Sequence, residues 1–289
     1  MAIKSYKGFD KNLRCRDFQY KIGGIYEMDG EIKVCSRGFH ACESPFDVFD
    51  YYTMIDSRFC EVEQDGNISK EDRRTKICSS KIKIKTELKL ADMINLGIEW
   101  LKEITLPEKI KTSIKDNSSG NYAQIGSSGD GAKIGSSGNN AKIGSSGDGA
   151  KIGSSGYDAK IGSSGYDAKI GSSGNNAQIG SSGNNAQIGS SGNNAKIGSS
   201  GDGAKIGSSG NNAKIDSTGK DCVIMCAGIN SVAKASKGSW ITLSEWSYSE
   251  GKQRYIPICV KTEFVDGEKI KADTYYSLKG GVFVEWIND

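Results

Sequence analysis

Apolar and polar residues alternate in a short motif that returns every nine residues from Ala123 to Ile215. In each of its eleven copies an alanine and an isoleucine flank a lysine or glutamine. Gly-Ser-Ser-Gly and two more residues usually follow, and this whole stretch is typical of a turn. Side chains of a strand point alternately to its two faces, so the motif predicts a short strand with Ala and Ile inward and Lys or Gln outward. The frequent glycines and the lack of a 3.6-residue period exclude a helix.

The fixed short period predicts stacked units, so the expected fold class is mainly β with a central parallel β-solenoid. Two copies per coil, as in a β-roll, is the simplest closure and makes roughly 5–6 coils. A triangular β-helix coil of three copies and either handedness remain open. One buried Ile contributes about 2–3 kcal/mol, whereas ordering nine residues costs on the order of 10 kcal/mol. The copies are therefore stable only when they stack between capping ends.

The repeat fades at both ends of the array instead of stopping abruptly. Ile114–Asp116 followed by Asn117–Gly120 is a worn copy, and Cys222–Gly228 and Ser231–Ala233 continue the frame with bulkier residues. Terminal repeats of a solenoid are atypical because they cap it. We therefore place the solenoid domain at residues 114–238.

The N-terminal segment, residues 1–113, has an ordinary composition and predicts a small α+β domain. Ser44-Pro45-Phe46-Asp47 is typical of a helix start, with serine as the N-cap and proline at the first position. A second helix is expected from about Leu90. Between the helices, Arg58–Gln64 and Ile77–Leu88 alternate like strands.

The C-terminal segment, residues 239–289, predicts an antiparallel β cap. Ser239–Leu243 and Tyr255–Thr262 have strand patterns, and Asp266-Gly267 is a hairpin signal. Gly280-Gly281 indicates another turn. We expect a small meander that shields the last solenoid coil from pairing with other chains.

The net charge of +3 is too small to indicate a nucleic-acid binder by itself. No apolar run has the length of a membrane span, and residues 1–4 do not begin a signal peptide. The eight cysteines are scattered without a paired spacing, which is typical of reduced thiols in a cytosol. We expect a cytoplasmic protein of a bacterial host with no membrane partner. The oligomeric state remains open.

One outward position of the repeat forms a ladder of lysines along the solenoid. Its members are Lys133, Lys142, Lys151, Lys160, Lys169, Lys196, Lys205 and Lys214. The ladder predicts an anion-binding stripe for phosphate or an acidic protein surface. The alternative is that it only confers solubility, since residues Ala123 to Gly219 contain eight lysines and six aspartates, a net charge of +2.

The array resembles the calcium-binding Gly-Gly-x-Gly-x-Asp β-roll repeat in its period and glycine placement. Its aspartates, however, are missing from the Asn-Asn copies and change position between the others. Calcium prefers several carboxylates per site, so we expect none here. Cys15, Cys35, His40 and Cys42 do not have a recognised zinc spacing. We therefore expect no metal site and no cofactor.

Two arrangements of residues bear on catalysis. His40 is the only histidine, so a Ser-His-Asp triad would need it, and no nucleophile motif accompanies it. Tyr6–Phe9, Phe39–Cys42 and the Glu-x-Glu of Glu61 and Glu63 resemble, in their order, an ADP-ribosyltransferase. In that family a strand-borne Ser-Thr-Ser precedes a helix and Glu-x-Glu supplies the catalytic acid. Here Ser-Thr-Ser is replaced and Glu-x-Glu follows sooner, and the resemblance implies Glu63 as the acid.

Lys-Gly-Phe-Asp at Lys7–Asp10, Gly-Phe-His-Ala-Cys-Glu at Gly38–Glu43, the repeat array and Gly-Ser-Trp-Ile-Thr-Leu at Gly238–Leu243 occur together. With them the chain resembles, nearly end to end, a family of uncharacterised phage and prophage proteins. The resemblance implies an accessory phage role. We interpret the protein as a non-enzymatic binding protein on a rigid solenoid, which inhibits a host defence system by binding a protein or nucleic acid. The alternatives are an active or degenerate ADP-ribosyltransferase-like enzyme and a structural spacer of the virion.

Overall fold

The structure, a computed structural model, describes residues 2–70, 75–104, 117–118 and 120–287. It divides into two compact units, Met1–Trp100 and Leu101–Asp289. Strands account for 48% of the residues and helices for 9%, which confirms the mainly β class. No helix in the described ranges is long and apolar enough to cross a membrane.

The N-terminal unit is built around an antiparallel sheet. The strands of this unit are β1 (Ile3–Phe9), β2 (Arg14–Cys15), β3 (Phe18–Gln19), β4 (Ile25–Glu27), β5 (Phe39–Cys42), β6 (Arg58–Lys70) and β7 (Lys76–Leu88). The sheet order is β4-β7-β5-β1-β6, and β6 also pairs with β7, so four strands close on themselves. β2 and β3 form a separate hairpin. Phe9, Val62 and Ile82 belong to the apolar core of this unit.

Two helices accompany this sheet. The predicted helix start at Ser44 leads into a 3-10 helix of six residues, Pro45–Asp50, and the serine side chain makes no capping hydrogen bond. The second helix, α1, spans Leu90–Ile104, as its apolar periodicity predicts. A Cβ atom on Gly97 would lie 2.5 Å from the ring of Phe46. Glycine therefore allows α1 to pack closely against the 3-10 helix.

The solenoid consists of strands of four residues each, after a first strand of two. They are β8 (Asn117–Ser118), β9 (Gln124–Ser127), β10 (Lys133–Ser136), β11 (Lys142–Ser145), β12 (Lys151–Ser154), β13 (Lys160–Ser163), β14 (Lys169–Ser172), β15 (Gln178–Ser181), β16 (Gln187–Ser190), β17 (Lys196–Ser199), β18 (Lys205–Ser208), β19 (Lys214–Ser217), β20 (Val223–Cys226) and β21 (Val232–Ala235). Even-numbered strands form the first solenoid sheet and odd-numbered strands the second. The worn copy at Ile114–Asp116 lies outside the described residues.

Each strand pairs in parallel and in register with the strand 18 residues later. Lys133 is opposite Lys151 in the first sheet, and Lys142 is opposite Lys160 in the second. Two copies therefore make one coil, which decides between the two closures that the sequence left open. The solenoid has about seven turns over residues 124–243, more than the expected five to six, because the bulkier end copies stack in the same frame.

The repeat composition follows from this stacking. The isoleucine side chains fill the interior and the alanines are buried beside them, as predicted. The second turn residue has a positive φ, for example 59° at Asn176 and 52° at Asp167, which Asn, Asp and Gly tolerate best. The first turn residue links neighbouring coils, as where Asn175 Oδ1 accepts a 2.8 Å hydrogen bond from the backbone N–H of Asn193. The turns therefore determine two of the nine residue types.

One expectation for the repeat was wrong. The Ser-Ser pair was assigned to the turn, but its first serine ends each strand and faces the interior. Ser145, Ser163 and Ser181 are fully buried, and their hydroxyl groups have no hydrogen-bond partner. At the C-terminal end, Cys226 and Ala235 take the same position. The position therefore requires a small side chain, and the hydroxyl group is not essential for packing.

The C-terminal strands extend both solenoid sheets. They are β22 (Trp240–Ser249), β23 (Arg254–Phe264), β24 (Tyr276–Lys279) and β25 (Val282–Glu285), with a 3-10 turn at Glu250–Lys252. β22 is parallel to β20 and antiparallel to β23, whereas β24 and β25 are an antiparallel hairpin beside β21. Positive φ angles at Gly280 and Gly281 confirm the predicted turn. The predicted hairpin at Asp266-Gly267 is wrong, because the chain crosses there to the other sheet.

Candidate functional site

The solenoid divides the lysine ladder into two columns on opposite sheets. The first column contains Lys133, Lys151, Lys169, Gln187 and Lys205, and the second contains Gln124, Lys142, Lys160, Gln178, Lys196 and Lys214. Neighbours within a column are about 4.8 Å apart along the solenoid, the spacing of paired strands. Each column is therefore a dense row of like side chains.

The two columns differ in exposure. All side chains of the first column are exposed. In the second column Lys160 is only 3% exposed. Lys214 lies over the rings of Tyr275 and Trp286, with its Nζ atom 4.2 and 4.3 Å from their centres. Only the first column is therefore available along its length for a partner.

A row of glycines lies beside the first column. Gly153, Gly171 and Gly189 point outward, and a Cβ atom on any of them would meet no atom within 4 Å. Met225 occupies the equivalent position in β20, so a side chain fits there. These glycines leave the backbone bare where glycine is not sterically required, which is typical of surfaces that another molecule approaches closely. We call the exposed column and these glycines the open lysine face.

A shallow groove of about 770 Å³ follows the open lysine face from Lys133 to Lys205. Among the described residues, no carboxylate forms an ion pair with its four lysines. Apart from Asp216 on β19, the aspartates of the array lie in the turns, where Asp130 Oδ1 and Asp148 Oδ1 accept backbone hydrogen bonds of 3.0 and 2.8 Å from the next coil. The face therefore has a positive charge that no local ion pair neutralises.

Aromatic side chains continue the same face towards the C-terminus. In the register of the first sheet, Lys205 is followed by Val223 and then by Trp240. Trp240 is 48% exposed, and its ring centre lies 5.0 Å from that of Phe264, which is 41% exposed. Lysines and flat aromatic rings thus share one surface.

The N-terminal unit contains a separate cavity of about 1240 Å³. Lys7 and Gly8 from β1 line it, together with Gly38–Cys42 from and just before β5. Both short motifs on which the phage-family resemblance rests, Lys-Gly-Phe-Asp and Gly-Phe-His-Ala-Cys-Glu, thus contribute to one wall. The cavity is therefore the second candidate site of this protein.

Lys7 is the buried charged group of the cavity, with an exposed fraction of 4%. Its Nζ atom donates a 2.9 Å hydrogen bond to the carbonyl oxygen of His40 and lies 3.5 Å from Cys15 Sγ. The rings of Phe9 and Tyr20 lie 5.4 and 5.6 Å from the same atom. Burial lowers the pKa of Lys7, because removal from water disfavours the charged ammonium form. No described carboxylate pairs with it to offset this effect.

Three thiols line the cavity, and two of them lie next to a donor. The hydroxyl group of Tyr52 donates to Cys15 Sγ at 3.0 Å, and Lys76 Nζ lies 3.3 Å from Cys35 Sγ. Cys35 and Arg16, a further lining residue, have φ angles of 65° and 54°. Such left-handed backbone is uncommon for these residue types and is found most often at functional sites.

His40 occupies the centre of this group. Its Nε2 atom accepts a 3.0 Å hydrogen bond from the backbone N–H of Cys35. Burial, followed by the positive charges of Lys76 and Lys7, lowers the pKa of His40 to about 4, so the imidazole is neutral at pH 7. Burial also raises the pKa of the Cys42 thiol to about 12. No group of three or more metal-ligating side chains occurs within the described ranges.

The structure does not bring the Glu-x-Glu pair to the cavity. Glu61 and Glu63 alternate on β6 with the buried Cys60 and Val62. Glu61 forms a 2.9 Å ion pair with Lys4, and Glu63 a 2.6 Å ion pair with Lys85. The transferase role of Glu63 stays a prediction. The test is incorporation of label from NAD, and labelling that Glu63→Gln abolishes would support the role.

From the sequence, Cys15, Cys35, His40 and Cys42 were grouped only as a zinc candidate, and the structure places all four in the cavity lining. The other polar groups, Lys7, Tyr52 and Lys76, come from separate segments of the chain, and only Lys7 carried a signal. It lies between aromatic residues in β1, two positions before the buried Phe9. A charged residue at an inward strand position is the pattern that could have identified it.

A sequence profile described as a domain of unknown function (DUF7666) matches residues 3–96, the range that contains the cavity. Neither a curated protein nor a solved structure matches the chain.

Proposed function

We propose that this protein is a phage- or prophage-encoded, non-enzymatic binding protein whose solenoid presents the open lysine face to single-stranded nucleic acid of a host defence complex. The observation that carries the proposal is the exposed lysine column beside glycines that no steric contact requires. The resemblance to phage and prophage proteins supports the choice of host defence as the target.

The chemistry of the face fits a single strand better than an acidic protein surface. Its lysines form a straight column with about 4.8 Å between coils. Trp240 then offers a flat ring at one end of the same surface, and bases stack on such rings without regard to sequence. A basic groove that ends in an exposed aromatic ring is typical of single-strand binding.

The test is the affinity of the full chain for a fluorescent single-stranded 20-mer, measured by anisotropy between 50 and 200 mM salt. If four lysines each contact a phosphate, the logarithm of affinity falls against that of salt with a slope of about −3. Reversing Lys133, Lys151, Lys169 and Lys205 to Glu should abolish binding. Changing Trp240→Ala should weaken it and leave the salt slope unchanged.

The matched control reverses Lys21, Lys33, Lys252 and Lys279, which are also exposed, to Glu. It makes the same change in net charge and should bind as the wild type does. Equal loss from both sets would mean that only net charge matters. Unchanged affinity of the first set would overturn the proposal, and binding of a host acidic protein by this face would favour that partner instead.

The defence role has its own test. Expression of the wild-type protein in a strain with an active defence system should restore phage plaques, whereas the variant with four reversed lysines should not. Plaques restored equally by both proteins would show that the open lysine face has no part in this role.

A further inference from the structure

We propose that the cavity of the N-terminal unit binds a nucleotide, with the phosphate against Lys7 and the base against the aromatic side chains at the entrance. This site is independent of the solenoid surface.

The buried charge of Lys7 favours an anionic ligand. Lys7 is buried, yet its hydrogen-bonding partners are a carbonyl oxygen and the sulfur of Cys15, and no described carboxylate pairs with it. A buried ammonium group without an opposite charge is costly, and the cost falls when an anion binds it. An anionic ligand would supply the opposite charge that no described carboxylate supplies.

Several positive groups converge on the cavity. Lys7, Lys76 and Arg16 all line the cavity, and the positive charge of each lowers the pKa of His40, so they converge on one region. The lining also contains the acidic residues Asp17, Glu27 and Asp50, of which Glu27 is paired with Lys81 at 3.3 Å. Several convergent cations suit a phosphate better than a single carboxylate, because a phosphate carries more charge and more acceptor oxygens.

Aromatic rings in the cavity lining offer a surface for the apolar part of the ligand. Phe18, Tyr20 and Tyr26 form an edge-to-face cluster with ring centres 4.8 to 5.4 Å apart. Phe18 is 47% exposed and lies in the cavity lining, as does Tyr51, which has the same exposed fraction. Exposed rings beside cations provide a surface on which a planar base can stack.

The volume of the cavity also suits a nucleotide. The cavity of about 1240 Å³ exceeds the ~300–1,000 Å³ that is usual for small-molecule sites. Inorganic phosphate alone would occupy little of it, whereas a nucleotide reaches both the lysine and the rings. The left-handed backbone at Arg16 and Cys35 indicates that the wall is held in a less favourable conformation at this place.

Calorimetry with the full chain tests the proposal, using AMP, GMP, CMP and UMP as probes and adenosine and inorganic phosphate as controls. At least one nucleotide should bind at least tenfold more tightly than either control. Lys7→Met should weaken that nucleotide at least tenfold. Lys85→Met changes a lysine that lies outside the lining, as does its ion-pair partner Glu63, and should have no effect. Absence of binding for all four nucleotides, or equal binding by Lys7→Met, would overturn the proposal.

Alkylation of Cys15 by iodoacetamide, followed by mass spectrometry, gives a second readout that does not depend on the folding of a variant. The best nucleotide should slow alkylation at least fivefold, and adenosine should not. Unchanged alkylation at saturating nucleotide would contradict binding at this cavity. The variant with four reversed solenoid lysines should keep nucleotide binding, so failure of one proposal is distinguishable from failure of the other.

Discussion

At the residue scale, the turn glycine and the strand glycine of the first-sheet repeats have different reasons to be glycine. Gly156 lies in a turn, where a Cβ atom would approach the carbonyl oxygen of Gly138 in the preceding coil to 2.0 Å. Gly153 lies in β12, where a Cβ atom would meet nothing within 4 Å. Stacking therefore requires the glycine of the turn, whereas the glycine of the strand is available for function.

Alanine substitution should separate these two roles. Gly156→Ala should lower the free energy of unfolding by about 1–3 kcal/mol or more, because backbone atoms cannot move aside without opening the coil. Gly153→Ala should raise it by about 0.4–1 kcal/mol, because alanine restricts the unfolded chain. Urea unfolding of both variants measures the difference, and equal losses would contradict the assignment of the two positions.

His40 should make stability depend on pH. Its pKa of about 4 in the folded protein lies below the usual 6.5, so the unfolded chain binds the extra proton between these values. The free energy of unfolding should therefore fall as pH falls from about 6.5 to 4, by about 1 kcal/mol between pH 7 and 5 after allowance for partial exposure. Urea unfolding at these two pH values measures the loss. His40→Gln should remove it, and an unchanged pH dependence in that variant would contradict the assignment.

At the element scale, the unit of the solenoid is the coil and not the repeat. A single strand of four residues gains its hydrogen bonds from the strands 18 residues before and after it. One copy therefore contributes to one sheet only. Successive copies alternate between the sheet with exposed lysines and the sheet whose lysines are half-buried or buried. Because of this alternation, removing one copy moves every later strand to the other sheet, whereas removing two copies does not.

Deletions should reveal this two-copy unit. Removing residues 159–176 takes out one coil and keeps every later strand in its own sheet, so the protein should fold with a melting temperature within a few degrees of the wild type. Removing residues 159–167 moves every later strand to the opposite sheet and should give aggregated or unstable protein. Circular dichroism and size-exclusion chromatography measure the outcomes, and similar behaviour of both deletions would argue against two copies per coil.

At the scale of the whole molecule, the two compact units carry two different kinds of surface. The N-terminal unit encloses a cavity with a buried lysine, whereas the solenoid displays lysines in the open. The matched domain profile covers residues 3–96 and none of the repeats. The chemistry of each unit can therefore be tested by variants that leave the other unchanged.

Prediction from the sequence was strongest where residues interact with near copies of themselves. The inward Ala and Ile, the outward Lys and α1 were all expected from periodicity, because each depends on local spacing. The position of Ser163 inside the coil was missed, because a small polar residue beside glycine is equally typical of a turn. Cys15 and His40 were considered together only for zinc. The cavity was missed because Lys7, Tyr52 and Lys76 join them only through β-sheet pairing and loop packing.

The sequence by itself determined that this protein contains a parallel β-solenoid, because an unbroken nine-residue period leaves no other way to bury its isoleucines. Only the tertiary structure decided that two copies make a coil, that the column of Lys151 is open while Lys160 is buried, and that Glu63 lies away from the cavity. A short period specifies the contacts between like units. Exposure, convergence and enclosure depend on contacts between unlike segments, which no local pattern contains.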